Sequence, residues 1–337
     1  METLSDFGAV DFFSINTLTT AIYNSWLAFD DLAFSNQLSF YLLIFISALF
    51  ILENLSRRSA KYHSPLKGGV KRKEKITLTG VKATFAFLFC FLVFFLSFIF
   101  PVSQMLYWTF LYPKNFFDLN ILSLTTNTIL LVSISSTILI LFSFVSNYGN
   151  RISNSKFLNF LTTISISGYA LPGVILAVAY ISFIAWFDNF VTLFVELPSL
   201  KKIFIGSILG LVFAYFVRFY SLSCNGLKSS YEKLNIAVDE TAYLSGYSKL
   251  ETFFKIHIPY MRSSIMFVII LISLEIIREL PITLILRPFN FETFATTAYI
   301  YASQDLLEAA AVPSLFLVLI ASLFILIISR YILSDKQ

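Results

Sequence analysis

The chain has 337 residues, 57% of them hydrophobic and 18% aromatic with 39 Phe, and only 13% are charged; a soluble domain carries roughly 25% charged residues. Its apolar residues stand in long unbroken runs of bilayer length, which excludes a soluble globular fold and predicts an all-α polytopic membrane protein. The formal net charge of +4 sits in loop lysines and arginines, so it reads as topology information and excludes a nucleic-acid-binding face.

The first residues show no basic region followed by a small-residue cleavage site, so a removed signal peptide is not expected. Seven transmembrane helices are predicted, at Leu38–Leu55, Ala83–Trp108, Ile121–Tyr148, Phe157–Phe187, Ile203–Leu222, Ser263–Leu286 and Pro313–Leu333. Cys90 and Cys224 lie far apart in or beside these runs and make no disulfide framework; both read as packing residues. The fourth stretch is long for one crossing and holds Pro172 and Gly173, which predicts a kink or a broken helix. In the third, Thr125, Thr126, Asn127 and Thr128 either line a path or hydrogen-bond to neighbouring helices.

Basic residues set the orientation. Arg57, Arg58, Lys61, Lys67, Lys71, Arg72, Lys73, Lys75 and Lys82 fill the first loop. Arg151, Lys156, Lys228, Lys233, Lys249, Lys255 and Arg262 follow on the same side, while Asp118, Asp188, Glu196, Asp305 and Glu308 mark the other. The positive-inside bias makes the first group cytoplasmic, with the N-terminus periplasmic and the C-terminus cytoplasmic.

The loop 228–262, between the fifth and sixth spans, is the longest segment that is neither apolar nor low in complexity. It reads as two short helices: Gly246 takes positive φ and ends the first, Ser248 and Glu251 cap the second, and Pro259 stops it. Thr241, Ala242 and Ser245 offer a small-residue face suited to a partner's groove.

This loop resembles the signature of ABC importer permeases: Glu-Ala-Ala, three residues, Gly, nine residues, Ile-x-Leu-Pro. The matching positions are Glu240, Thr241, Ala242, Gly246, Ile256, Ile258 and Pro259, with Thr241 standing for Ala and Ile258 for Leu. The resemblance implies the transmembrane domain of a type I ABC importer, in which this loop is the lever resting on the ATPase. No phosphate-binding G-x-x-x-x-G-K-[ST] loop occurs in the chain, so it is not expected to be an enzyme. ATP and Mg²⁺ would belong to a partner ATPase dimer, and no cofactor to this chain.

The sixth span ends in Glu275, Arg278 and Glu279, predicted to share one helix face, and then Pro281, Thr283 and, just past it, Arg287. Charges at membrane depth are tolerated when paired or facing a polar cavity. Two readings stay open: a lining or gate of the translocation path, or an ion pair holding helices together. The run Glu279–Thr293 resembles the Glu-Leu-Pro-Ala-Thr-Leu-Leu-Leu-Arg-Pro-Phe-Asn-Phe-Asp-Thr segment of ferric-iron importer permeases, as do the surroundings of Arg218 and Pro172. Ferric iron is therefore the expected cargo, with thiamine, polyamines or phosphonates as alternatives. The resemblance also implies a bacterial inner-membrane location and a periplasmic substrate-binding protein that selects the cargo. No resident metal is expected, because His63 and His257 share no ligand spacing with the cysteines.

Finally, a shift of 276 positions places Phe13, Thr17, Thr20, Tyr23 and Ala33 on Phe289, Thr293, Thr296, Tyr299 and Ala309. Ferric permeases of the resembled type are tandem duplications of a six-span unit. The expectation is that 1–60 is the tail of a first half, 61–75 a basic linker, and 76–337 a complete six-span domain. A second permease half would then come from a separate chain, a second copy or a missing N-terminal part. A secondary transporter is the rival class; it would explain the broken helix and intramembrane charges but not the loop.

Overall fold

The computed structural model describes residues 6–58, 78–153, 155–192 and 204–334, and every regular element among them is helical. The basic segment 61–75 and Glu196, both used in the orientation argument, lie outside the described residues. In chain order the helices are α1 Gly8–Phe12, α2 Leu18–Leu27, α3 Leu32–Arg58, α4 Val81–Leu111, α5 Lys114–Asp118, α6 Ile121–Ser153 and α7 Lys156–Ile166. They continue with α8 Gly173–Thr192, α9 Ile208–Lys233, α10 Ile236–Leu244, α11 Lys249–Ile277, α12 Pro281–Leu286, α13 Phe294–Ser303 and α14 Leu307–Ser334. Seven of these (α3, α4, α6, α8, α9, α11 and α14) are long and apolar enough to cross a bilayer, the number expected from the sequence.

Helix α9 is the spine. Its start is fixed by Ser207, whose side chain accepts from the Gly210 N–H. Leu211, Tyr215, Phe219 and Leu227 of α9 are buried with Leu131 and Leu139 of α6 and Ile272 of α11. Polar cross-ties run through this core: Ser143 bonds to Ser223, and Asn147 donates to the Cys224 carbonyl at 3.1 Å. Cys224 is thus a buried packing residue, as expected, and Cys90 is exposed on α4. A second cluster joins Phe7, Ile22, Leu42 and Ile46 to Val174 and Val178 of α8. At the far end of α6, Asn127 donates to the Glu292 carbonyl at 3.0 Å and Thr128 accepts from the Phe294 N–H. Asn127 and Thr128 thus bond to the start of α13, while Thr125 and Thr126 donate to carbonyls of their own helix.

The fourth stretch is broken, as its length and Pro172 predict: α7 ends at Ile166, a 3₁₀ turn covers Ser167–Ala170, Leu171 is extended, and only α8 is of crossing length. Two boundaries differ from the sequence reading. The sixth span ends at Ile277 instead of Leu286, with α12 separate beyond it. Pro259 does not stop a helix. A π-turn at Phe253–His257 precedes it by two residues and carries α11 through. The wider i→i+5 turn already skips the bond a proline cannot make, so the ring is absorbed. The same device recurs in α4, where a π-turn at Phe95–Ile99 precedes Pro101.

The internal repeat is structural. Thr17 and Thr293 are both N-caps in nearly the same conformation (φ −121°, ψ 168° and φ −117°, ψ 167°), and each closes a capping box with the threonine three positions on. Each opens a ten-residue helix, α2 or α13. Ser14 and Asn290 just before, and Asp30 and Asp305 just after, all take positive φ. A crossing helix follows each copy, α3 or α14.

Candidate functional site

The structure gathers most of the intramembrane candidates around one point. Arg218, midway along α9, faces Glu279 in the break between α11 and α12, with Nε 3.3 Å from Oε2 and both side chains buried. Glu279 Oε1 also accepts from the Ile282 N–H at 3.3 Å, so it caps α12, which starts at Pro281. Thr283 donates to the Glu279 carbonyl at 2.8 Å and bonds to the hydroxyl of the fully buried Tyr215. Side chains thus bond to backbone groups on both sides of the break at the proline.

The break beside Pro172 brings the backbone of Gly173 against this pair. A Cβ there would overlap Arg218 Nη1, lie 2.7 Å from Glu279 Oε1 and lie 3.1 Å from the Pro281 ring. The contact to Glu279 is an ion pair without hydrogen-bond geometry, and Arg218 Nε and Nη1 make no hydrogen bond among the described residues. Two helix breaks thus meet at one buried, incompletely paired guanidinium. Such a charge in a membrane interior marks a polar route or a structural lock.

The other charged candidates lie elsewhere. Glu275 and Arg278 pair with each other at 2.5 Å, and Arg278 is exposed. They do not share a face with Glu279, because the helix carrying Glu275 ends at Ile277 and the chain then turns. Arg287 follows α12 and pairs with Glu292.

The loop 228–262 forms the second site. Asn235 caps α10, with its side chain accepting from the Ala237 N–H. A Schellman turn ends the helix: Tyr247 N–H reaches the Ala242 carbonyl, Gly246 N–H reaches the Tyr243 carbonyl, and Gly246 has φ 85°. Ser248 and Glu251 then close the capping box that starts α11. Glu240 and Thr241 are exposed, Ala242 is buried, Ile256 is half-buried in the π-turn and Pro259 is exposed. Around Glu240 stand exposed Ile236, Tyr243, Leu244 and Leu250, with Leu244 at 90% exposure. These side chains form an apolar rim on an otherwise polar loop.

Asp239, beside Glu240, binds this loop to the spans, and the sequence reading assigned it no role. Its Oδ2 takes Arg151 Nε at 2.6 Å and its Oδ1 takes His257 Nε2 at 2.7 Å. A carboxylate only accepts, so Nε2 carries the proton. Arg151, at the end of α6, also donates to the carbonyls of Tyr231, Leu234 and Asn235 where α9 gives way to α10. His257 is fully buried, edge-on between the rings of Tyr148 and Tyr231. The carboxylate joins α10 to α6 and α11, and the Arg151 guanidinium adds α9.

The structure thus combines seven helices of bilayer length, a capped and exposed loop of this spacing, and a buried charge at paired helix breaks. No protein-family model matches the chain. It is similar to the Fe(3+)-transport system permease protein FbpB 2 of Haemophilus influenzae, with 22% identity over 342 aligned positions that take in 98% of this chain. The resemblance to ferric-iron permeases read from two motifs therefore runs along nearly the whole chain. The chain spans 63% of that relative's length.

Proposed function

We propose that this chain is the transmembrane subunit of an ATP-driven importer of ferric iron. The observation that carries the reading is the loop around Gly246: an exposed helix with an apolar rim, ended by a Schellman turn and tied through Asp239 and Arg151 to three longer helices. A partner ATPase dimer would dock on α10, and its ATP-driven closure would pull the loop. The clamp would pass that motion to α6, α9 and α11, and through α9 to Arg218. The basic ends of α6 and α9 would face the cytoplasm of a bacterial inner membrane, and α2 and α13 the periplasm. A periplasmic binding protein would deliver the cargo there, and a second permease half would supply the second lever an ATPase dimer requires.

The relative's designation as a ferric-iron permease supports iron as the cargo. Deleting the gene and measuring uptake of radiolabelled ferric iron, thiamine, spermidine and a phosphonate tests it. Loss of iron uptake alone, restored by the native chain, is the expected result. Loss of one of the other uptakes with iron intact overturns the cargo assignment and leaves the permease reading in place.

A further inference from the structure

Among the described residues four non-glycine positions take positive φ, and all four flank the repeat helices: Ser14 and Asp30 around α2, Asn290 and Asp305 around α13. L-residues rarely adopt this conformation, and it persists only where the surroundings hold it. Each of the four stands beside a large apolar side chain turned outward. Phe13 precedes Ser14 and is 69% exposed, Phe29 precedes Asp30 and is 76% exposed, Phe289 precedes Asn290 and is fully exposed, and Leu306 follows Asp305. The shift of 276 places Phe13 on Phe289 and Ser14 on Asn290.

The two aromatic turns are pinned. Phe13 N–H bonds to the Ala9 carbonyl at 3.1 Å and Ser14 N–H to the Asp11 carbonyl at 2.8 Å. Around Phe289, the Phe291 N–H bonds to the Pro288 carbonyl at 3.2 Å, the Phe291 ring is buried, and Arg287 pairs with Glu292. A ring held outward by a braced backbone forgoes its burial with no return inside the chain. The two copies lie together, because Tyr299 donates to Asp11 Oδ2 at 2.6 Å and the Phe7 ring packs on those of Tyr23 and Tyr299. Helix α11 crosses once between the loop at Gly246 and α12, so this surface lies on the side opposite that loop.

Its charge has one sign. Residues 6–31 hold four acids and residues 288–308 three, with no Lys or Arg in either stretch. Asp6, Asp30, Asp31 and Asp305 are exposed. Anionic lipid headgroups attract basic segments, and bilayer interfaces are anchored by Trp and Tyr, so acids beside Phe rings do not suit a membrane surface. They suit a soluble protein with apolar pockets ringed by Lys and Arg.

We propose that the two repeat copies together form a docking surface for a basic soluble protein. Phe13 and Phe289 are its anchors, each entering an apolar pocket of the partner, and Asp30, Asp31 and Asp305 face the partner's cations. The identification of this partner as the protein that delivers the cargo rests on the reading above.

The test titrates the full chain in nanodiscs with the soluble periplasmic protein of the same cells that carries radiolabelled ferric iron, purified by that label. Phe13→Ser and Phe289→Ser are each expected to weaken binding about tenfold, and the double variant more. Asp30→Asn with Asp305→Asn should slow association and flatten its dependence on salt. Unchanged melting temperatures show that the variants remain folded. No binding to the native chain, or equal binding to the double Phe variant, overturns the surface. In Phe289→Trp, read as the difference from the native chain, acrylamide should quench the added emission until the protein binds. Quenching by brominated lipid instead would place the ring in the membrane and overturn the surface. Iron uptake by the same strains separates the two claims. Uptake by the native chain, with binding indifferent to both rings, overturns the surface and keeps the cargo reading; binding that depends on the rings, without iron uptake, keeps the surface and overturns the cargo reading.

Discussion

Removing either member of the Arg218–Glu279 pair leaves the other charge buried at membrane depth without its counter-ion. Breaking a buried pair in this way costs about 3–5 kcal/mol, whereas replacing both partners by apolar groups is often neutral. Arg218→Ala and Glu279→Ala are therefore each expected to lower the melting temperature of the purified chain markedly. The double change Arg218→Met with Glu279→Leu should recover most of that loss. If the pair also belongs to the transport route, the double variant will be folded and inactive; full uptake would make it a structural lock only. Gly173→Val should behave like the single losses, because its Cβ would occupy the space of Arg218 Nη1. The sequence marked Glu279, Pro281 and Thr283 in one run, with Arg218 and Pro172 apart from it. Their convergence was not legible, because it depends on three helices meeting and on α11 ending at Ile277.

At the scale of elements, the loop was legible where local chemistry decides. Gly246 takes the positive φ that its place after an amphipathic turn demands, and Ser248 with Glu251 is a capping box visible in sequence. Pro259 was misread because a proline's effect depends on the turn before it, and the π-turn at Phe253–His257 has no sequence signature comparable to a cap. The Asp239 clamp was invisible for a different reason: Arg151 lies 88 positions away and His257 18, so only the tertiary fold brings them together. Asp239→Asn keeps the size and removes the charge that holds Arg151. The chain should still insert in the membrane while ATP-coupled iron uptake falls severalfold, since the lever would lose its hold on α6. Uptake equal to the native chain would mean that α9 and α11 alone carry the motion.

For the whole molecule, the repeat is the organising fact. Five identities between the N-terminal tail and residues 289–309 were a thin signal, yet caps, helix lengths and positive-φ positions recur in both copies. Each local device was specified twice in the sequence, which is why the repeat could be read there. That the two copies touch, with Tyr299 bonded to Asp11 and Phe7 packed on the rings of both Tyr23 and Tyr299, could not be read there, because periodicity is silent on which faces meet. The central claim is that ATP-driven transport runs through the loop at Gly246. Any side chain at φ 85° costs about 1–2 kcal/mol, and a large one there would also reshape the exposed face of α10. The decisive measurement is ATP-dependent uptake of radiolabelled ferric iron in a deletion strain carrying Gly246→Trp, with membrane levels matched to the native chain. Uptake reduced to the level of the deletion is the predicted result. Uptake at the native rate would contradict the account, because it would leave the loop without a part in coupling.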